Sequence, residues 1–90
     1  MAHSRLLFSE HALDRLLDWD VSETQVEAVL ADGQTVEEYE DGARLVLGWS
    51  GPRPFHVVVA DRASGTSIVV TLYEPDPSRW DAAFRERIRR

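Results

Sequence analysis

The stretch QTVEEYEDGARLVLGW, residues 34–49, contains the change of hydrophobic period that decides the fold. From Gln34 onwards, apolar and polar residues alternate with the period of about two that is typical of β-strands. Asp41-Gly42 separates two such runs, 34–40 and 43–49, and an Asp-Gly pair is a strong signal for a hairpin with a two-residue loop. The stretch therefore predicts an antiparallel hairpin.

Two further strands are expected after this hairpin. A turn over 50–54 leads to a strand from Phe55 to Ala60, and a turn over 61–65 leads to a last strand from Thr66 to Tyr73. Bulky residues assign one face of the sheet to the core: Val36, Leu45, Leu47, Trp49, Phe55, Val57, Val59, Ile68, Val70 and Leu72. The other face then carries Thr35, Tyr39, Arg44, Val46, His56, Val58, Val69, Thr71 and Tyr73.

The hairpin register places Tyr39 opposite Arg44, in agreement with this second face. The face is too apolar to be fully solvated, so we expect the C-terminal helix, a partner or a ligand to cover it.

Two amphipathic helices are predicted upstream of the sheet. A short strand, Leu6 to Phe8, leads to Ser9, a residue type that caps helix N-termini. The apolar stripe of the first helix consists of Ala12, Leu13, Leu16 and Leu17, and the opposite side carries His11, Asp14, Arg15 and Asp18. Ser22 and Gln25 form a capping box for the second helix, and Gly33 lies where a C-terminal cap belongs.

After the last strand, Glu74-Pro75-Asp76-Pro77 ends the sheet. Asp76 or Ser78 is then a candidate cap for a final helix with Trp80, Phe84 and Ile88 on one side, in a basic helix or tail over 78–90. The expected fold is therefore α+β: two N-terminal helices packed on an antiparallel β-meander of about four strands, with a C-terminal helix.

The length and composition fit one domain, residues 1–90. The net charge is −6 and every basic residue is an arginine, with half of them in the last stretch of chain, so a basic nucleic-acid coat protein is not expected. Without cysteine the chain has neither disulfides nor thiolate metal sites. We expect a cytoplasmic protein with no signal peptide and no membrane helix.

Several motifs occur in an order that resembles a known family. They are FSEHALDR (8–15), Ser22-Glu23, Gly33, Tyr39, LVLG (45–48), PFHVVV (54–59), TLYEPD (71–76) and Trp80. Together, from about Leu7 to Trp80, they resemble a family of small bacterial domains, domain-of-unknown-function family 4258. That family is similar to a distant branch of the RelE-type toxin fold, a compact α+β architecture found in many endoribonucleases.

The resemblance implies a fold more directly than it implies an activity. Members of the family often occur beside small antitoxin-like partners. The family commonly has a second arginine four residues after the one that matches Arg15, and this chain has Trp19 there, followed by Asp20 and Val21. This difference weakens a basic site built from two helix arginines.

A metal-independent ribonuclease of this type requires a base for the 2′-hydroxyl, an acid for the leaving oxygen and a cation for the phosphate. His11 and His56 are the candidates for acid and base, and Arg15 and Arg44 for the phosphate contact. Tyr39 and Tyr73 are candidates for stacking on a base or donating a hydrogen bond. Neither a cofactor nor a metal is expected, since the histidines lack zinc-ligand spacing.

Structural roles for the same residues remain open. His11 is also suited to fixing its helix by a bond to a carboxylate, and His56 to a half-buried position in a strand. The predicted phases also place His11 and Arg15 away from the sheet and His56 on the sheet face without the two helices. That arrangement argues against one shared active site.

Two functions follow from these observations. The first is a toxin-like endoribonuclease that acts on RNA, free or on the ribosome, and is held by an antitoxin-like protein. The second is a non-catalytic RelE-like protein-binding module that pairs with such a partner or forms a homodimer. Its interface would lie around Tyr39, Val46, Val58 and Tyr73 or at an exposed sheet edge.

Overall fold

The computed structural model describes residues 5–62 and 65–88. The elements are β1 (Arg5–Phe8), α1 (Glu10–Asp18), α2 (Glu23–Ala31), β2 (Gln34–Glu38), β3 (Ala43–Ser50), β4 (Arg53–Asp61) and β5 (Thr66–Tyr73). The α+β class and the two N-terminal helices are confirmed. Arg89 and Arg90 of the predicted basic tail lie outside the described residues.

The five strands form one mixed sheet in the order β1-β5-β4-β3-β2. Strands β2 to β5 form the predicted antiparallel meander, whereas β1 pairs in parallel with β5. The expectation of a wholly antiparallel sheet of about four strands is therefore wrong. The prediction failed because β1 pairs with the last strand. No local sequence pattern specifies such a contact between the two ends of the domain.

The predicted caps are present in both helices. The Ser9 side chain accepts a hydrogen bond from the amide of Ala12 at 3.0 Å. In α2, the amide of Gln25 donates to Ser22 Oγ at 3.1 Å, and the Gln25 side chain accepts from the Ser22 amide at 2.9 Å. These bonds satisfy amides that the helix itself leaves unpaired.

Only half of the predicted apolar stripe of α1 is buried. Ala12 and Leu16 face the sheet, but Leu13 is 42% exposed and Leu17 is 83% exposed. Trp19 and Arg15, on the other flank, are half-buried instead. The helix packs mainly on β5, and that contact is narrower than the apolar stripe.

The hairpin between β2 and β3 has a three-residue connection instead of the predicted two-residue loop. The amide of Tyr39 donates to the carbonyl oxygen of Ala43 at 2.9 Å, and Gly42 has a φ of 87°. The Asp41 carboxylate also accepts from the Ala43 amide at 3.1 Å. A glycine in the left-handed region after a turn is the common geometry of such loops.

As a result Arg44 pairs with Glu38 instead of Tyr39. The predicted phase of β3 is also wrong: Val46 packs under the helices, whereas Leu45 lies on the opposite face. A shift of one residue moves every side chain of a strand to the other side of the sheet.

The helices pack on one face of the sheet, around a buried core of Ala12, Leu16, Val21, Val26, Val29, Val46, Phe55, Val57, Val59, Val69 and Leu72. Gly48 determines how closely α2 approaches β3. A Cβ atom at Gly48 would lie 2.4 Å from the Val29 carbonyl oxygen, so only glycine fits this contact.

The sheet face away from the helices is called the second face below. The segment 76–88, here called the C-terminal clasp, covers part of it. The predicted C-terminal helix is wrong, because Trp80 forms an antiparallel bridge with Arg87 and the chain reverses between them. Phe84 has a φ of 60°, and the Ile88 amide donates to the Arg79 carbonyl oxygen at 2.8 Å.

The spacing of Trp80, Phe84 and Ile88 had suggested a helical stripe. The clasp instead takes its shape from contacts with the sheet. Phe84 packs edge to face on Trp49, with ring centroids 6.1 Å apart. Within the described ranges, no helix is both long and apolar enough to cross a bilayer.

Candidate functional site

His56 lies on β4 and faces the C-terminal clasp across the second face. Its side chain is 0% exposed. The Nε2 atom is 2.8 Å from the Phe84 carbonyl oxygen, and Nδ1 is 3.3 Å from Tyr73 Oη. A carbonyl oxygen only accepts, so Nε2 carries the proton, and the neutral ring then accepts at Nδ1. Burial lowers the pKa of His56, and the hydrogen bond to Phe84 raises it. The effect of burial is the larger, so the ring is neutral near pH 7.

Tyr73 lies on β5 directly beside His56. The two rings meet edge to face, with centroids 5.4 Å apart. Burial raises the pKa of the Tyr73 phenol, so the hydroxyl stays protonated and donates to Nδ1 of His56. Tyr73 is only half-buried and lines a surface cleft, so it is the member of this pair that an external molecule can reach.

The cleft has a volume of about 370 Å³. It lies between the end of α1 and the C-terminal clasp and is lined by Trp19, Tyr73, Glu74, Asp76, Arg79, Trp80 and Arg87. Glu74 is already paired with Arg53, at 2.8 Å. Arg79 has an 82% exposed side chain, and its guanidinium lies as far as 3.9 Å from the Asp76 carboxylate. Its guanidinium is therefore available to an anion in the cleft.

Glu37, Tyr39 and Arg87 form the adjoining part of the site. Arg87 donates to Glu37 through Nε at 2.9 Å and through Nη2 at 3.2 Å. Tyr39 Oη donates to the same carboxylate at 2.9 Å. The Arg87 bond lowers the pKa of Glu37, and burial together with the Glu37 bond raises the pKa of Tyr39.

Trp80 joins these two parts. Its ring centroid is 4.3 Å from that of His56, and the Arg87 guanidinium carbon is 4.7 Å from the Trp80 centroid. The site is therefore one continuous set of polar and aromatic side chains. Its titratable members, called the polar cluster below, are Glu37, Tyr39, His56, Tyr73 and Arg87.

Among the predicted site residues, His56, Tyr39 and Tyr73 come together in this cluster. His11 and Arg15 do not, because they lie on α1, on the other side of the sheet. His11 is exposed, and Arg15 pairs with Asp18 at 2.7 Å. The Nε atom of Arg15 is buried and has no hydrogen-bond partner among the residues that the structure describes.

Arg44 also lies apart from the cluster, which corrects the predicted face. It pairs across the sheet with Val59, a residue of the core under the helices. Its guanidinium donates to Asp61 at 2.7 Å and to Thr35 at 3.2 Å. The predicted face rested on the bulk of Leu45, Leu47 and Trp49, which lie on the second face instead.

Glu37, Trp80 and Arg87 were not among the predicted site residues. The concentration of arginines near the C-terminus was the available signal for Arg87. The helical spacing of this segment, however, did not indicate that the chain reverses and brings Arg87 back beside Trp80. Among the described residues, no group of three or more His, Asp or Glu side chains is placed to hold a metal ion.

The comparisons with known proteins give one match. A family model described as a domain of unknown function (DUF4258) matches residues 8–74. The match includes Glu37, Tyr39, His56 and Tyr73 and ends before the C-terminal clasp. Neither the curated proteins nor the solved structures contain a significant match. Since the family model covers most of the chain and every helix and nearly every strand, this protein belongs to the DUF4258 family.

Proposed function

We propose that this protein is a toxin-like, metal-independent endoribonuclease with a RelE-like scaffold, and that the polar cluster is its active site. One observation carries the proposal. Tyr73 lines an open cleft that also holds the guanidinium of Arg79, while its Oη lies 3.3 Å from Nδ1 of a neutral His56. A hydroxyl paired with a neutral imidazole is a proton-transfer device of the kind used in acid–base catalysis.

The proposed reaction moves one proton from the 2′-hydroxyl to the leaving oxygen. The 2′-hydroxyl proton passes to Tyr73 Oη as the phenolic proton passes to Nδ1 of His56. The 2′-oxygen then forms a bond to phosphorus and the bond from phosphorus to the 5′-oxygen breaks. The proton returns from His56 through Tyr73 to the 5′-oxygen, which leaves a 2′,3′-cyclic phosphate and a 5′-hydroxyl. Since the pKa of Tyr73 is raised, the phenol needs His56 as its proton acceptor.

The arginines of the C-terminal clasp would bind the phosphate. Arg79 is the better candidate because its carboxylate contact is long and its side chain exposed. Arg87 is held by Glu37 and Trp80, so its guanidinium has a fixed position at the cleft. Trp19 and Tyr73 offer aromatic surface to an unstacked base, which suits single-stranded RNA.

The biological setting is part of the proposal. The substrate is RNA, free or on the ribosome, and the enzyme acts in the cytoplasm. With a net charge of −6, the surface as a whole repels RNA, so binding relies on the local arginines. An antitoxin-like protein would hold the enzyme inactive.

Cleavage of a labelled single-stranded RNA in the presence of EDTA tests this proposal. Wild-type protein should yield 2′,3′-cyclic phosphate ends. Tyr73→Phe keeps the ring and removes the hydroxyl, so we expect a loss of about 10²- to 10⁴-fold in kcat. His11→Ala, on the other side of the sheet, should cleave at the wild-type rate. Equal rates for wild type and Tyr73→Phe would exclude the proposed site.

A second candidate function is a non-catalytic RelE-like protein-binding module. It is favoured by the complete burial of His56, whose two ring nitrogens are both engaged within the fold. In this case the polar cluster only attaches the C-terminal clasp to the sheet. Induced expression in a bacterial host separates the two functions. If wild type arrests growth and Tyr73→Phe at the same protein level does not, the protein acts as the enzyme.

A further inference from the structure

Strand β1 is an edge strand of the sheet, and no other strand of the described residues pairs with its outer side. The Arg5 amide donates to Gly65 at 3.2 Å and the Ser9 amide donates to Val69 at 3.0 Å, so the odd-numbered backbone groups of this strand face β5. Backbone groups alternate along a strand. The N–H and C=O groups of Leu6 and Phe8 therefore point away from the sheet, where they can pair with another strand.

An apolar strip adjoins this edge on the second face. Leu7 is 44% exposed and lies beside Ile68 of β5, and Ile68 in turn pairs with Ala60 of β4. Val58, two residues before Ala60, is on the same face and half-buried. None of these side chains is charged. An open strand edge beside uncharged apolar side chains is a typical site of strand addition.

We propose that β1 pairs antiparallel with β1 of a second copy of this chain, about a two-fold axis that passes through Leu7. In this register Leu6 lies opposite Phe8 of the second copy and Phe8 lies opposite its Leu6. Both are hydrogen-bonded pairs, so all the outward groups of these residues find partners. Leu7 lies opposite Leu7 of the second copy, in the closely spaced pair where side chains contact most directly.

The occupant is a second copy because this edge is complementary to itself. A two-fold axis requires the same surface on both sides, and the strand from Arg5 to Ser9 is symmetric in its outward groups about Leu7. Its charges are complementary too. Arg5 of one copy lies opposite Ser9 of the other, next to the exposed Glu10 at the start of α1. The pairing therefore places Arg5 of one copy near Glu10, in the first turn of α1 of the other copy.

The pairing lies away from the polar cluster and is independent of whether the cluster cleaves RNA. It names the partner and surface that the second candidate function leaves open. The dimer is detected by its mass in solution, and this measurement does not involve ribonuclease activity. A failure of the dimer proposal can therefore be told apart from a failure of the ribonuclease proposal.

A single cysteine provides the sharpest test, since the chain contains none. In the proposed register the Cα atoms of the two Leu7 residues would be roughly 4.5 Å apart, within the range of about 4.4–6.8 Å that disulfides span. Leu7→Cys should form a disulfide-linked dimer rapidly under mild oxidation. Leu17→Cys, more exposed but far from the axis, is the matched control and should stay largely monomeric on a reducing-agent-free gel. Equal cross-linking of the two variants would overturn the register.

The mass in solution provides the second test. By light scattering over a range of concentrations, wild type should approach twice the chain mass of 10.2 kDa. Leu7→Arg places two like charges together at the axis and should remain a folded monomer, whose unfolding midpoint, unlike that of wild type, does not depend on protein concentration. A wild-type protein that stays monomeric at every concentration would overturn the proposal, as would a Leu7→Arg variant that dimerises like wild type.

Discussion

The Nε2 atom of His56 lies 2.8 Å from the carbonyl oxygen of Phe84, and this hydrogen bond attaches the C-terminal clasp to the sheet. The donor is on β4, inside the region that the family model matches, and the acceptor is outside it. The bond sets the tautomer of the imidazole and leaves Nδ1 for Tyr73. This contact thus attaches the C-terminal clasp to β4 and at the same time orients the imidazole toward Tyr73.

Replacement of His56 should destabilise the protein strongly. His56→Ala removes a fully buried ring, leaves the Phe84 carbonyl without this donor and opens a cavity beside Trp80. We expect a loss of about 2–5 kcal/mol in the free energy of unfolding. Urea unfolding followed by tryptophan fluorescence measures it. His11→Ala, on an exposed helix surface, should change the value by less than about 0.5 kcal/mol, and equal effects of the two substitutions would contradict this role.

Stability should depend on pH through His56. Because burial lowers its folded-state pKa, the unfolded chain binds the proton more readily than the folded protein does. Stability should therefore fall as pH decreases below about 6.5, the ordinary pKa of histidine, until the folded-state pKa is reached. Urea midpoints from neutral to mildly acidic pH would show this slope. His56→Gln should have a flatter profile, and a profile as steep as that of wild type would assign the slope to other groups.

Glu37 adds a separate decrease in stability at lower pH. Its folded-state pKa is lowered, chiefly by the hydrogen bond from Arg87. The stability it contributes is present above about pH 4.5, the ordinary pKa of its carboxyl, and is lost as pH falls through the lowered folded-state value. Glu37→Gln should remove this part of the acid profile, while the His56 part should persist and extend to lower pH, because the Glu37 charge raises the pKa of His56. If both parts vanish together, the two groups titrate as one unit.

Arg87→Ala should loosen the C-terminal clasp without unfolding the sheet. The substitution removes the pair with Glu37 and the cation–π contact with Trp80. Since the Arg87 side chain is largely exposed, we expect a loss of only about 0.5–1.5 kcal/mol, smaller at high salt. Hydrogen exchange should show faster exchange of the Ile88 and Asp81 amides, with β4 amides unchanged. Arg62→Ala, an exposed arginine away from the clasp, is the control and should leave all of these rates unaltered.

Gly48→Ala should be among the most disruptive single-methyl changes in this chain. The added Cβ would lie 2.4 Å from the backbone oxygen of Val29, which cannot move without shifting α2. We expect a cost of about 1–3 kcal/mol, or more, in thermal or urea unfolding. Ala28→Ser on the exposed side of α2 should cost less than about 0.7 kcal/mol. A Gly48→Ala midpoint equal to that of wild type would mean that α2 sits farther from β3.

The local elements follow from short stretches of sequence. Ser9 and the Ser22/Gln25 capping box predict both helix starts because the side-chain oxygen and the amide it satisfies are only a few residues apart. The strands β3, β4 and β5 follow from their alternating pattern and the turns between them. His56, Tyr39 and Tyr73 were predicted to share a face, and they do. His56 and Tyr73 pair directly on neighbouring strands, although a register shift between Val58 and Val59 places Val69 in the core instead of on the predicted second face.

The errors concern contacts that distant residues make. The β2–β3 loop has one residue more than predicted, and Arg44 and Val46 lie on the face opposite to the predicted one. The clasp has a sequence with helical spacing, but the bonds of Phe84 and Arg87 to β4 and β2 determine its course. The pairing of β1 with β5 joins the two ends of the domain.

The sequence by itself determined the class of the fold, the order of its helices and most of its strands, and the caps, because each depends on residues within a few positions of one another. Only the tertiary structure decided the register of the hairpin, the course of the C-terminal clasp and the composition of the polar cluster. Those features depend on hydrogen bonds and packing between residues that are far apart in the chain, and such contacts can override local propensity.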